Sequence, residues 1–66
     1  MKVKVNDREI EIFNGALVRD ALLKYSKEEY KFIRNNEKIV VDRHNNKRFL
    51  SGELSTGETL FIKNKS

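Results

Sequence analysis

No cysteine, proline or tryptophan occurs among the 66 residues, and histidine occurs once. Without cysteine there is no disulfide framework, no thiolate nucleophile and no Cys-based zinc site, so ordinary side-chain packing has to hold the fold. The three glycines, Gly15, Gly52 and Gly57, stand apart. They form neither a GxGxxG nor a GxxxxGK[ST] loop, which excludes nucleotide binding by those routes. The longest apolar runs, Ala16-Leu17-Val18 and Ile39-Val40-Val41, fall far short of the ~20 residues of a membrane span. Met1-Lys2-Val3-Lys4-Val5 lacks the apolar stretch of a secretory signal. These absences predict one small domain over residues 1–66, cytoplasmic and without a membrane span.

A lone histidine also narrows the chemistry. A Ser-His-Asp triad or a metal site would have to use His44, which sits among Arg43, Lys47 and Arg48 with Asp42 as its one adjacent carboxylate. Those cations repel a metal ion, and no partner for proton transfer stands nearby. No catalytic, cofactor-binding or metal-ligating residue is therefore assigned, and no cofactor is implied. A substrate pocket needs about 300 Å³ or more. A chain this short needs its apolar side chains for the core, so a non-enzymatic protein is expected.

What the chain has in quantity is charge. Fourteen Lys and Arg against ten Asp and Glu leave a net charge of +4. Residues 1–30 are neutral, with six groups of each sign, while residues 31–66 hold eight bases and four acids and carry the whole excess. The densest unopposed stretch is Arg43-His44-Asn45-Asn46-Lys47-Arg48. Arg43, Lys47 and Arg48 are candidate nucleic-acid contacts, and a solvated loop is the alternative reading; three cations release only a few counterions.

Periodicity gives the elements. Met1, Val3 and Val5, then Ile10 and Ile12, alternate around Asn6-Asp7, which predicts a hairpin with one buried face and with Lys2 and Lys4 opposite Glu9 and Glu11 on the other. After Asn14-Gly15 the period changes: Val18, Ala21, Leu22 and Tyr25 make the stripe of an amphipathic helix. Asp20 and Lys24 stand at a spacing that suits an ion pair. Ser26-Lys27-Glu28-Glu29 has the form of a capping box for a short extra turn. Tyr30 to Ile33 and Ile39 to Val41 read as two strands around Asn35-Asn36-Glu37-Lys38. Phe49, Leu50 and Leu54 fall in an irregular segment, and Ser55-Thr56-Gly57-Glu58 turns the chain into a last strand, Thr59 to Lys63. The expected fold is α+β, ordered ββαβββ, with one helix on a mixed sheet.

Two stretches carry a family likeness. Gly15-Ala16-Leu17-Val18-Arg19-Asp20-Ala21-Leu22-Leu23 and Leu54-Ser55-Thr56-Gly57-Glu58-Thr59-Leu60 stand where the β-grasp, ubiquitin-like superfamily has its helix entry and its approach to the last strand. The chain resembles that superfamily over nearly its whole length, and within it the small sulfur carriers of the ThiS and MoaD type. They show Gly-x-Thr-Val-x-x-Leu-Leu and Leu-x-x-Gly-Asp-x-Leu; Leu17 replaces the Thr and Glu58 the Asp. The carriers work through a C-terminal Gly-Gly that is adenylated in an activating enzyme. No Gly-Gly pair occurs in these residues, so the resemblance implies the fold without the carrier or conjugation chemistry.

Three functions remain to weigh. The first is a module that binds a protein through its exposed sheet face or an edge strand. Phe61 would point away from the core beside Lys31, Arg34 and Lys63, the four candidate partner contacts. The second is an RNA-binding accessory domain similar to TGS domains, using Arg43, Lys47 and Arg48 with a stacking platform drawn from Tyr25, Tyr30, Phe32, Phe49 and Phe61. The third is a sulfur-carrier relative that keeps only the docking surface. An unpaired edge strand allows a monomer or a weak dimer.

Overall fold

The computed structural model describes residues 1–65. Strands β1 (Lys2–Val5) and β2 (Arg8–Glu11) form the hairpin, joined by Asn6 and Asp7 at φ 50° and 67°. Two consecutive left-handed residues make the tight turn that matches the twist of paired strands, and Asn and Asp tolerate that conformation best after glycine. Lys2 stands opposite Glu11 and Lys4 opposite Glu9, as the alternation requires. The ion pair that forms is the diagonal Lys2–Glu9 contact at 3.7 Å, with both side chains about 60% exposed (60% and 59%). Exposure and screening leave it worth about 0–1 kcal/mol.

Helix α1 (Val18–Tyr25) buries Val18, Ala21 and Leu22. Asp20 and Lys24 do not pair. The Asp20 carboxylate turns back to accept from the Leu17 N–H at 2.8 Å, and the Lys24 ammonium donates to the Glu11 carbonyl, tying the helix to β2.

The main departure from the sequence reading comes next. Residues Lys27–Arg34, which include the expected strand Tyr30 to Ile33, form a second helix, α2. Ser26 caps it, its Oγ accepting from the Glu29 N–H at 3.3 Å. Glu28 and Glu29 lie in the first turn and Lys31 and Arg34 in the last, which suits the helix dipole. Tyr30 and Ile33, three residues apart, share the face packed against the core, a helical and not a strand spacing. Asn36 at φ 63° then ends the turn, and the expected Asn35-to-Lys38 connection joins a helix to a strand.

Strands β3 (Lys38–Asp42), β4 (Lys47–Arg48) and β5 (Thr59–Asn64) complete a five-stranded sheet in the order β2-β1-β5-β3-β4. β1 and β5 run parallel and every other pair antiparallel, so the sheet is mixed. The architecture is α+β with two helices, ordered ββααβββ; the strand lost at Tyr30 to Ile33 is replaced in the count by the two-residue β4. Val3, Val5, Ile10, Leu60 and Val40 meet Val18, Ala21 and Leu22 in the core. Asn6 binds the hairpin tip to the central strand, its N–H donating to the Leu60 carbonyl and its side-chain oxygen accepting from the Ile62 N–H, both at 2.9 Å. No helix among the described residues is long and apolar enough to cross a membrane.

Segment 49–54 runs across the start of α1. Val18 and Arg19 donate their N–H groups to the Gly52 and Leu50 carbonyls, and Leu54 donates to the Ala16 carbonyl. Gly52 fits closely there: a Cβ would lie 3.1 Å from the Phe49 carbonyl oxygen and 3.2 Å from the Arg48 guanidinium, so a larger residue needs these neighbours to give by a few tenths of an ångström.

Candidate binding surfaces

Register sorts the sheet residues onto two faces. Val40 pairs with Ile62, and Leu60 with Asp42 and Val5, on the side that carries the helices. Val41 pairs with Phe61 and Lys47, and Ile39 with Lys63, on the opposite side; Lys4 beside Thr59 belongs there too. That open face carries an apolar strip of Ile39, Val41 and Phe61, with Val41 buried although it lies outside the main core. Lys4, Lys47 and Lys63 surround the strip, and no acid projects from β3, β4 or β5 on this side. Lys63 is steadied by donating to the Asn45 side-chain oxygen at 2.6 Å.

The four partner candidates from the sequence therefore separate. Phe61 and Lys63 share the open face, but Lys31 and Arg34 ride on α2, behind the sheet. Their expected position beside Phe61 depended on the strand that is a helix.

The second surface is a shallow groove of about 360 Å³ at the β4 edge. β4 pairs only with Val40 and Val41, so the start of β3 has no strand on its outer side and the groove opens there. α2, β3, β4 and segment 49–51 wall it, together with Arg19 from α1. Five of its residues are cations, Arg19, Arg34, Lys38, Lys47 and Arg48, and none is an acid. Two are neutralised from outside the groove. The Lys38 ammonium lies 2.9 and 2.8 Å from the two Glu29 carboxylate oxygens, and Arg48 pairs with Glu58. Phe49 is 65% exposed, and the Lys47 ammonium sits 5.5 Å from its ring centroid.

Of the nucleic-acid candidates, Lys47 lines this groove without an ion pair among the described residues. Arg48 spends its guanidinium on Glu58 and on the Glu53 carbonyl at 2.7 Å. Arg43 stands apart on the β3–β4 turn, beside a separate open depression of about 420 Å³ with His44 and Glu58. Arg19 and the site of Phe49 were not legible as one cluster, because only the crossing of segment 49–54 over α1 brings them together. Among the described residues no three His, Asp or Glu side chains gather to hold a metal.

The β3–β4 turn is built on Asp42. Its Oδ1 accepts from the His44 N–H at 2.8 Å and the Asn46 N–H at 2.9 Å, with Asn45 at φ 65°. The Asn46 N–H above all, then the His44 N–H and imidazole, hold the carboxyl below its ordinary 3.8. A depressed folded-state pKa adds stability that is present above the ordinary value and lost as pH falls through the folded one. Asp42→Asn keeps an acceptor oxygen and removes the titration. Its melting temperature is expected to fall less steeply than that of the parent between about pH 4 and pH 2. Superimposable acid limbs in thermal melts would refute this.

Comparison with protein-family models, with curated proteins and with solved structures found no match.

Proposed function

We propose that the chain is a non-enzymatic binding module of the β-grasp, ubiquitin-like type whose open sheet face captures an acidic protein surface. The mixed sheet, with its N-terminal hairpin beside a parallel last strand and its helices on one side, supports the fold assignment. The observation that carries the function is the strip Ile39–Val41–Phe61, uncovered by either helix and enclosed by Lys4, Lys47 and Lys63 with no acid between them. An apolar centre with a charged rim is the anatomy of a protein interface, and the cations that border the strip favour a partner of the other sign, Glu9 and Glu11 of the same face lying further out on β2. No residue is given a catalytic part.

A photo-reactive side chain placed at position 61 in the source cell tests this, with position 13 as control because Phe13 is 61% exposed. Position 61 is expected to yield a discrete adduct with one acidic protein, reduced about tenfold or more by the double change Lys4→Glu, Lys63→Glu. Equal labelling from positions 61 and 13, or an adduct indifferent to the charge reversal, would overturn the reading.

A further inference from the structure

We propose that the groove at the β4 edge is a binding site for single-stranded nucleic acid, with Phe49 as the platform for one base and Arg19, Arg34 and Lys47 as phosphate contacts. This site adjoins the open face, sharing Ile39 and Lys47 with it, and does not rest on the protein-binding reading.

The charges that act are not the ones that cluster in sequence. Lys38 and Arg48 line the groove but are cancelled by Glu29 and Glu58. Arg19, Arg34 and Lys47 have no ion pair among the described residues. They come from α1, the end of α2 and β4, so positive charge approaches the groove from three elements while no acid lines it. That spread suits a run of phosphates better than a single anion.

Phe49 supplies the second half of the chemistry. A phenyl ring left 65% exposed forgoes burial worth about 25 cal/mol per Å². A base stacked on it would recover part of that, and any base can do so, because every base presents a π-face. With the Lys47 ammonium 5.5 Å from the ring centroid, a base on Phe49 and its phosphate on Lys47 are met by neighbouring groups. A duplex keeps its bases stacked inside, so it offers phosphate to the groove and nothing to Phe49. Protein segments that match three cations need clustered acids and gain little from one isolated ring.

Fluorescence anisotropy with a labelled ten-nucleotide oligouridylate tests the site, with duplex RNA of equal length and uridine monophosphate as competitors. Three phosphate contacts predict a slope of log affinity against log salt of about −2, or roughly twentyfold weaker binding at 200 than at 50 mM salt. Phe49→Ala is expected to weaken binding about five- to a hundredfold with little change in that slope. Arg34→Glu and Arg19→Glu should each weaken binding and flatten the slope. All three side chains are solvent-exposed, and thermal melts verify that the variants stay folded. Phe61→Ala, on the open face, should bind as the parent does. Parent-like binding by Phe49→Ala, equal or tighter binding of duplex, or displacement by uridine monophosphate at the same phosphate concentration would each overturn the proposal.

Discussion

Replacing Leu60 by alanine is expected to remove about 2–5 kcal/mol of stability, the cost of emptying a fully buried leucine site that cannot collapse. Leu60 is 0% exposed in β5, the central strand, where it lies beside Val5 on the parallel ladder and Asp42 on the antiparallel one. β5 lies in the middle of the sheet, with β1 on one side and β3 on the other, and Leu60 belongs to the same buried cluster as Val18, Ala21 and Leu22 of α1. A 66-residue chain at about 0.05–0.15 kcal/mol per residue has only roughly 3–10 kcal/mol in total. The melting midpoint should fall by roughly 10–30 °C, and much of the population should be unfolded near physiological temperature. Urea titration followed by circular dichroism measures this, with Phe13→Ala as an exposed control expected to stay within about 0.5 kcal/mol. A loss below about 1 kcal/mol for Leu60→Ala would show that the core is not organised around β5.

Arg48→Ala is the second large effect, expected at about 1.5–3 kcal/mol. Arg48 and Glu58 form an ion pair with side chains only 21% and 17% exposed. The guanidinium also donates to the Glu53 carbonyl, and Glu58 accepts from the Ser55 N–H at 3.0 Å. Through these contacts β4 holds a long irregular segment that has one buried anchor, Leu54. A double-mutant cycle with Glu58→Ala should return a coupling of about 1–2 kcal/mol, because each single change strands the other charge in a poorly solvated place. Arg48→Lys keeps the charge but lacks the fork that reaches both acceptors, so it should restore less than half of the loss. Additive single effects would show that the pair contributes nothing of its own. The same contacts engage the Arg48 guanidinium within the fold, unlike the ammonium of its sequence neighbour Lys47, which has no ion pair among the described residues.

How much of this was legible depends on the range of the signal. The hairpin follows from period-two alternation around Asn6-Asp7, and α1 from the stripe Val18, Ala21, Leu22, Tyr25. Residues 30–33 misled because their aromatic and β-branched composition suits a strand, whereas the Ser26 cap and the core position of Tyr30 and Ile33 make a helix. Propensity is a weak prior, and tertiary burial overrides it. Phe49 and Lys47 were visible as an aromatic and a cation, but nothing local marked them as neighbours of Arg19 and Arg34.

By itself the amino-acid sequence determined the absence of disulfide, thiolate and glycine-loop chemistry, the hairpin, the first helix, the last strand and the placement of the excess positive charge after residue 30. Each of these is a property of composition or of neighbours a few residues apart. Tertiary structure decided that the helical turn started at Ser26 runs on through residues 30–34, that Phe61 shares a face with Ile39 and Val41, and which cations among the described residues remain unpaired. The reason is physical: a charge is cancelled by whatever carboxylate folding brings to it. Glu29 and Glu58 reach Lys38 and Arg48 from nine or ten positions away, leaving Arg19, Arg34 and Lys47 as the groove's cations without an ion pair among the described residues.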